Sequence, residues 1–404
     1  MTDFLFDLKC DGQSPQGVVL EPFQKNFMGL LFSNETAQVH LLAESNLPVL
    51  QIPKATSIAI LLFPSVTSPI DPLAVVAFRH RFDGVELFAW ERKEDNWSPL
   101  QVEVSTNNSA SFPKQKFPLE HKQLFSFHLD RIATVNDLMS CASIWKASLK
   151  NNILQLKLEY EIDLSSFHSV KNAEKESTTE TNGAESSSND LPNSLLLTAS
   201  HLFIGTYNAK IFVYTLPHNK HGINHFRLDY KSTEPSEVTF LKENHVVELP
   251  SKETKQKPVV SRLDNVNGQY IVVMDSYGQT YALLVDTNYE LTEYTKIIRI
   301  KFHVPFHKVL DYSVMKVSAS RNDSVSAGAI IAVLGENRSM WLASLKDAFR
   351  ALHSESAVSD VLIRSNKIIL IDGEGSGVDV VPPNCLLVHL QDSFRVYLLK
   401  DIIT

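Results

Sequence analysis

Short apolar, β-branched and aromatic runs recur in pairs along this chain, and each pair is joined by a few turn-forming residues. The clearest pair is 270–275 and 280–285. It is separated by Ser276-Tyr277-Gly278, where glycine supplies the positive φ that a tight antiparallel hairpin needs. The same shape appears at 27–32 with 38–42, 74–78 with 85–90, and 202–206 with 211–215. It returns at 330–334 with 340–344 and at 386–390 with 394–399, and a weaker copy lies at 143–147 with 153–160. Anchors in the second runs, Val39, Val85, Leu154, Ile211, Tyr281, Trp341 and Val396, follow one another at 46, 69, 57, 70, 60 and 55 residues. A hairpin every ~40–70 residues, with flanking sequence long enough for two more strands, is the pattern of four-stranded propeller blades. The expectation is an all-β fold: residues 1–404 as one seven-bladed β-propeller.

Helical periodicity is scarce. Leu345, Phe349 and Leu352 fall on one helical face, so a short helix is expected over 345–353 and at most short helices elsewhere. Residues 168–193 break the pattern, being rich in Ser, Thr, Glu and Asn and almost free of large apolar side chains. Such a segment buries too little surface to offset its ordering entropy, and it is read as a disordered acidic insert within a blade. Between Lys171 and Asp190 it carries five acids and two lysines, so about -3 of the formal net charge of -8 belongs to it. Segments 105–116 and 231–258 read as long surface loops, the second with a possible strand around Phe240 to Val247.

The hydrophobic fraction of 44% and charged fraction of 21% suit a globular protein, and the acidic balance argues against a nucleic-acid-coating one. Cys10, Cys141 and Cys385 form no CxxC pair, so neither a zinc site nor a disulfide framework is expected. The first ten residues carry Asp3 and Asp7 and lack the basic and apolar regions of a signal peptide. The longest apolar runs, 58–63 and 327–334, fall short of the ~20 residues that cross a bilayer. No membrane insertion is expected, and the reading is a protein of the nucleus or cytoplasm.

The spacing resembles a degenerate form of the WD-repeat family of β-propellers. That family ends a blade's third strand with Trp-Asp after a hairpin turn that often carries Asp-Gly. Here Asp83-Gly84 stands in the turn and Trp90-Glu91 at the dipeptide position, with Asp286 a weaker second match. Only 14 of 404 residues are glycine, which agrees with degenerate repeats. A propeller must close its ring, so a strand near 4–6 or 17–20 is expected to complete the last blade.

No catalytic, cofactor-binding or metal-binding set is read. His218, His221 and His225 lie in a Pro- and Gly-containing loop, and Pro305 interrupts the pair His303 and His307. The stretch Asp372 to Gly377 matches no phosphate-binding motif and reads as an interblade loop. Two basic patches are candidate partner or RNA contacts: Arg79 with Arg81, and Lys296, Arg299 and Lys301. Ser177, Thr178, Thr179 and Ser188 in the insert are candidate phosphorylation sites. What these readings imply is a non-enzymatic scaffold subunit that binds other protein subunits of a stable complex. The alternative is a non-catalytic subunit supporting an RNA-modifying or RNA-processing enzyme; an enzyme with its site in the central channel ranks behind both.

Overall fold

The computed structural model describes residues 2–9, 15–20, 27–41, 48–63, 73–81, 84–93, 96–105, 124–135, 141–164, 191–216, 239–240, 245–248, 258–266, 270–284, 296–302, 309–316, 329–336, 338–354, 360–364, 367–371, 375–381, 385–391 and 393–399. Residues 168–190 of the 168–193 insert, the histidines at 218, 221, 225, 303 and 307, and Asp286 lie outside them; the end of the stretch read as disordered, Pro192 and Asn193, instead opens a strand, because it leads into the apolar run Leu195 to Leu197.

The fold is all-β with one short helix. After β1 (Thr2–Lys9), the chain makes the meander β2 (Pro15–Leu20), β3 (Phe27–Phe32), β4 (Ala37–Leu41), β5 (Leu50–Ile52). Next come β6 (Ser57–Leu62), β7 (Leu73–Arg81), β8 (Gly84–Lys93), β9 (Asn96–Ser105) and then β10 (Phe125–His128), β11 (Arg131–Val135), β12 (Cys141–Lys150), β13 (Ile153–Asp163). These two antiparallel runs join into one nine-stranded sheet, because β9 lies parallel to β13 and β17 (Thr239–Phe240) adds to β13 as well. A further sheet has the order β14 (Pro192–Leu197), β15 (His201–Thr206), β16 (Lys210–Thr215), β18 (His245–Glu248). It is followed by β19 (Val260–Asn265), β20 (Tyr270–Asp275), β21 (Thr280–Leu284), β22 (Lys296–Phe302), with β26 (Asp360–Ile363) as a fifth strand. The last two sheets are β23 (Val309–Lys316), β24 (Ala329–Gly335), β25 (Ser339–Ser344), β27 (Lys367–Leu370), and β28 (Gly377–Val381), β29 (Cys385–His389), β30 (Ser393–Leu399), β1. Helix α1 (Lys346–His353) follows β25.

The sequence pattern explains this layering. The second strands, β15, β20 and β24, are buried at every residue, which is why they read as continuous apolar runs. The outer strands alternate instead, β9 between exposed and half-buried residues and β13 between half-buried and buried ones, as strands with one wetter face do. Successive sheets therefore stack face to face, and each joint has its own core. Ile58 and Ile60 of β6 pack back onto Phe27, Val39 and Ile52, while Ala59 and Leu61 pack forward with Ile132, Trp145 and Leu154. Later joints repeat the device. Ile144 and Tyr160 meet Ile204 and Tyr214, and Phe203 and Ile211 meet Ile271 and Tyr281. Val272 and Met274 meet Tyr312 and Trp341, and Ala332 and Met340 meet Val378 and Leu386. The strands β2, β6, β10, β14, β19, β23 and β28, each the opening strand of an antiparallel run, are neighbours in that order and form the inner wall.

The ring closes at the termini. β1 runs antiparallel to β30, from Thr2 opposite Leu399 to Lys9 opposite Ser393. Of the two terminal segments expected to complete the last sheet, the first does so, and the second is the opening strand of the first sheet. Behind the seam, Phe394 is fully buried edge-on to Phe32, ring centroids 6.1 Å apart, in a core that joins Met28 and Leu30 to Leu387 and Val396.

Two local readings shift. The hairpin at 143–160 is β12 and β13, the third and fourth strands of its run, whereas the other pairs are second and third strands. Its turn has positive φ at Asn151 and Asn152, the two-residue hairpin signature, so it outshone the β11–β12 connection. The glycine-rich stretch read as a loop ends in strand β28. As for scarce glycine, Gly278 fills one left-handed turn position, where a Cβ would come within 2.6 Å of the Val309 carbonyl oxygen. Glu35, Ala209 and Arg338 hold comparable positions without glycine.

Deleting residues 1–9 removes a whole closing strand and bares the edge of β30. The expected result is a thermal midpoint lower by about 5 °C or more. Calorimetry of the truncated and full chains checks it; an unchanged midpoint contradicts closure at this seam.

Candidate functional site

The sequence-predicted cations fall on two separate sheets. Arg79 lies on β7 opposite Glu86 of β8, and its Nη1 donates to Oε2 at 3.3 Å. Arg81 ends the same strand opposite Gly84, and Lys296 opens β22 opposite Leu284. Arg299 and Lys301 sit two residues apart on β22, hence on one face of the strand. Both meet Asp360 of the neighbouring β26. Arg299 grips it with a fork, Nε to Oδ1 at 3.0 Å and Nη2 to Oδ2 at 3.2 Å, and the Lys301 ammonium pairs with Oδ2. These two cations are thus engaged within the chain. Ser177, Thr178, Thr179 and Ser188 lie outside the described residues.

A second constellation escaped the sequence reading. The inner strands are mostly apolar, yet β19, β23 and β28 each bring a charge to the inner wall. Arg262 of β19 spends all three guanidinium nitrogens on carboxylates: Nε on Asp264 Oδ2 at 3.0 Å, Nη1 on Asp311 Oδ1 at 2.8 Å, and Nη2 on Asp379 Oδ1 at 3.2 Å. One side chain therefore ties three consecutive sheets. The acids are held in turn. Asp311 Oδ2 accepts the Val378 N–H at 2.9 Å, and Asp379 Oδ2 pairs with His389 Nε2 at 2.8 Å. His389 stands edge-on to Phe394 at 5.0 Å, which links the cluster to the closing seam. Gly377, directly opposite His389, makes room: a Cβ there would lie 2.8 Å from His389 Nδ1 and 3.2 Å from Asp311 Oδ2. Below the guanidinium lies the Tyr312 ring, 5.3 Å away, whose hydroxyl donates to the Val272 carbonyl at 2.8 Å.

The charges do not balance, since one guanidinium faces three carboxylates. The four side chains keep only 14 to 25% exposure, so desolvation is felt. Burial opposes the charge of Arg262, but its three partners outweigh that and raise its pKa well above the ordinary value. Burial lifts the Asp264 carboxyl to about 6, with Asp379 and Asp311 adding to the effect and Arg262 working against it. Burial also acts to raise Asp379, but the His389 hydrogen bond and the Arg262 charge hold it below the usual carboxylate range. The arrangement is a clasp: a pre-formed fork that fixes the relative positions of inner strands. Among the described residues no group of His, Cys, Asp and Glu side chains is placed to hold a metal ion. The signal that could have found the cluster is a charge set among apolar neighbours in each first strand, Arg262 and Asp264 in VSRLDN, Asp311 in VLDYSV and Asp379 in GVDVV.

Two outcomes follow from this geometry. Replacing Arg262 with Met strands three half-buried acids and is expected to cost about 3–5 kcal/mol in denaturant unfolding, the range for breaking one side of a buried pair. The second concerns pH. An acid whose folded pKa is raised loses its proton in the unfolded chain first, so ionising Asp264 costs stability as pH rises from about 4 through about 6. Asp264→Asn lacks that cost while keeping an acceptor for Arg262. From pH 4 to pH 7 it is expected to gain on the wild type by of order 1–3 kcal/mol. Asp379, lowered instead, contributes stability that is lost only as pH falls below its unfolded value of 3.8. Unfolding curves at stepped pH read both; parallel curves for wild type and Asp264→Asn contradict the assignment.

No protein-family model and no curated protein sequence matches this chain. Solved structures do. The β-propeller domain of Cps50 (Swd1) from Myceliophteria thermophila matches with a TM-score of 0.53 at 8% identity, over 99% of this chain and 100% of that one. The WD40 β-propeller domain of Doa1 has a TM-score of 0.49 at 11% identity, over 99% and 98% of the two chains. Raptor from Chaetomium thermophilum has a TM-score of 0.48 at 10% identity, over 98% of this chain and 29% of that one. At such identity the likeness to the Swd1 domain speaks for the fold alone, and with the stacked sheets and closing strand it gives this chain a β-propeller fold.

Proposed function

We propose that this chain is a non-enzymatic scaffold: a seven-bladed propeller serving as one subunit of a multiprotein complex in the nucleus or cytoplasm. The observation that carries the proposal is the closed ring, sealed by β1 on β30 and braced by Arg262 across three sheets. Such a body holds the loops at its two faces in fixed relation, which is what a platform for several partners needs. The count of seven is supported by treating the nine-stranded sheet as two four-stranded runs that share an edge through β9 and β13. It is supported too by hydrophobic cores that join each run to the next, including the last to the first. The acidic insert would act as a tether whose affinity changes when Ser177, Thr178, Thr179 or Ser188 is phosphorylated. The RNA-linked alternative has less behind it, because Arg299 and Lys301 already neutralise Asp360.

Purification of the tagged chain from native cells, followed by mass spectrometry and size measurement, tests the scaffold reading. A reproducible partner in stoichiometric amount is the expected result. Recovery of the chain alone as a monomer counts against it.

A further inference from the structure

Within every meander of this ring, neighbouring strands are antiparallel. The strands that add to outer edges are different: β9 on β13, β17 on β13 and β26 on β22 are all parallel. β26 is the most telling. It belongs to the connection between β25 and β27 of the next sheet, yet it crosses back to pair with β22, Arg299 opposite Asp360 through Phe302 opposite Ile363. It is only four residues long. Ile363 is buried at 4% exposure while Leu362 stands 54% exposed. Its one charged residue, Asp360, meets Arg299 and Lys301, two of the three cations of the β22 patch that the sequence marks as a partner contact. The helix that precedes it packs into the same core as Ile363. Ala348, Phe349 and Leu352 are buried in the core, and Phe349 stacks on Tyr270 at 4.2 Å.

We propose that the outer edge of β22 is a docking site for an extended acidic segment of a partner protein, and that β26 is the chain's own placeholder in that site. A strand edge supplies main-chain hydrogen bonds of sequence-independent strength, and flanking side chains supply the choice of partner. Here the choice is legible from β26 itself. Asp360 sets a carboxylate before Arg299 and Lys301, Val361 and Ile363 turn apolar groups inward, and Leu362 is free to vary. The partner segment thus has the form acid, apolar, any, apolar. The tethered β26 competes at an effective concentration of ~mM, so it blocks weak ligands and yields to a partner with a longer strand. The proposal rests on the scaffold reading. Its test uses purified chain and a synthetic peptide, so it can fail while native purification succeeds, and the reverse.

The experiment is fluorescence anisotropy with a labelled peptide of residues 358–364, against wild type and Asp360→Lys, with amide exchange of 361–363 followed in parallel. Asp360→Lys is expected to speed that exchange and to bind the peptide about tenfold or more tighter than wild type, the effect of losing one charge-assisted anchor. Changing the peptide's Asp to Asn, or adding Arg299→Ala and Lys301→Ala to the protein, is expected to reverse the gain. Should Asp360→Lys fail to fold, Asp360→Asn carries the same comparison with an expected gain of about threefold. Unchanged exchange in the variant, no gain in binding once β26 is released, or equal binding of the Asn peptide would each overturn the proposal.

Discussion

The pairing of β1 with β30 decides what the rest of the chain can be. Without it, the sheets form a row with one bare face at each end and a core such as Phe394 against Phe32 left open. With it, the last sheet gains its fourth strand, the end faces meet, and the middle strands are covered on both sides. The closing strand comes from the opposite end of the chain, so no single sheet completes without the fold as a whole. Contacts of such long range are slow to form, which places closure late in folding.

The inner wall solves a second problem. Stacked sheets held only by apolar faces slide, because apolar contact is non-directional. Arg262 removes that freedom by direction rather than by strength, since a planar fork accepts its carboxylates in few geometries. The cost is a carboxyl held out of water beside two other acids, and it appears as the raised Asp264, lifted first by burial and then by Asp379 and Asp311. Placing the clasp beside His389 and Phe394 puts directional bonds next to the seam where the ring has to meet itself.

Much of the fold was legible because second and third strands are buried on both faces. Residues such as those of β20 and β24 then read as unbroken apolar runs with clear turns between them. The short helix was legible from Leu345, Phe349 and Leu352 for the same reason. Outer strands were less so, since half-exposed stretches like β9 look like many loops. The phase of the hairpin at 143–160 slipped because a two-asparagine turn is a louder signal than the connection before it. Of the clasp the sequence shows only its separate charges among apolar neighbours, not their meeting. Asp311 and Asp379 are 49 and 117 residues from Arg262, and only the order of sheets around the ring brings them to it. The pairing of Arg299 with Asp360, 61 residues on, was hidden by the same rule. A patch of cations in a sequence says nothing of the carboxylate that a distant strand will lay beside it.

The most direct measurement of ring closure is a cross-link between the two ends. Cys10, Cys141 and Cys385 are replaced by Ser, and cysteines are placed at Asp3 and Leu398, opposite each other in the β1–β30 register. Residues directly opposite in an antiparallel pair have Cβ atoms about 4.5–5.5 Å apart, within reach of a disulfide after a small adjustment. Mild oxidation of the native chain should close an intramolecular bond, seen on a non-reducing gel, and should raise the thermal midpoint. A control pair at Asp3 and Lys210 should not react, because β16 belongs to another sheet. Equal, slow cross-linking of the two pairs would contradict a ring closed by its first strand.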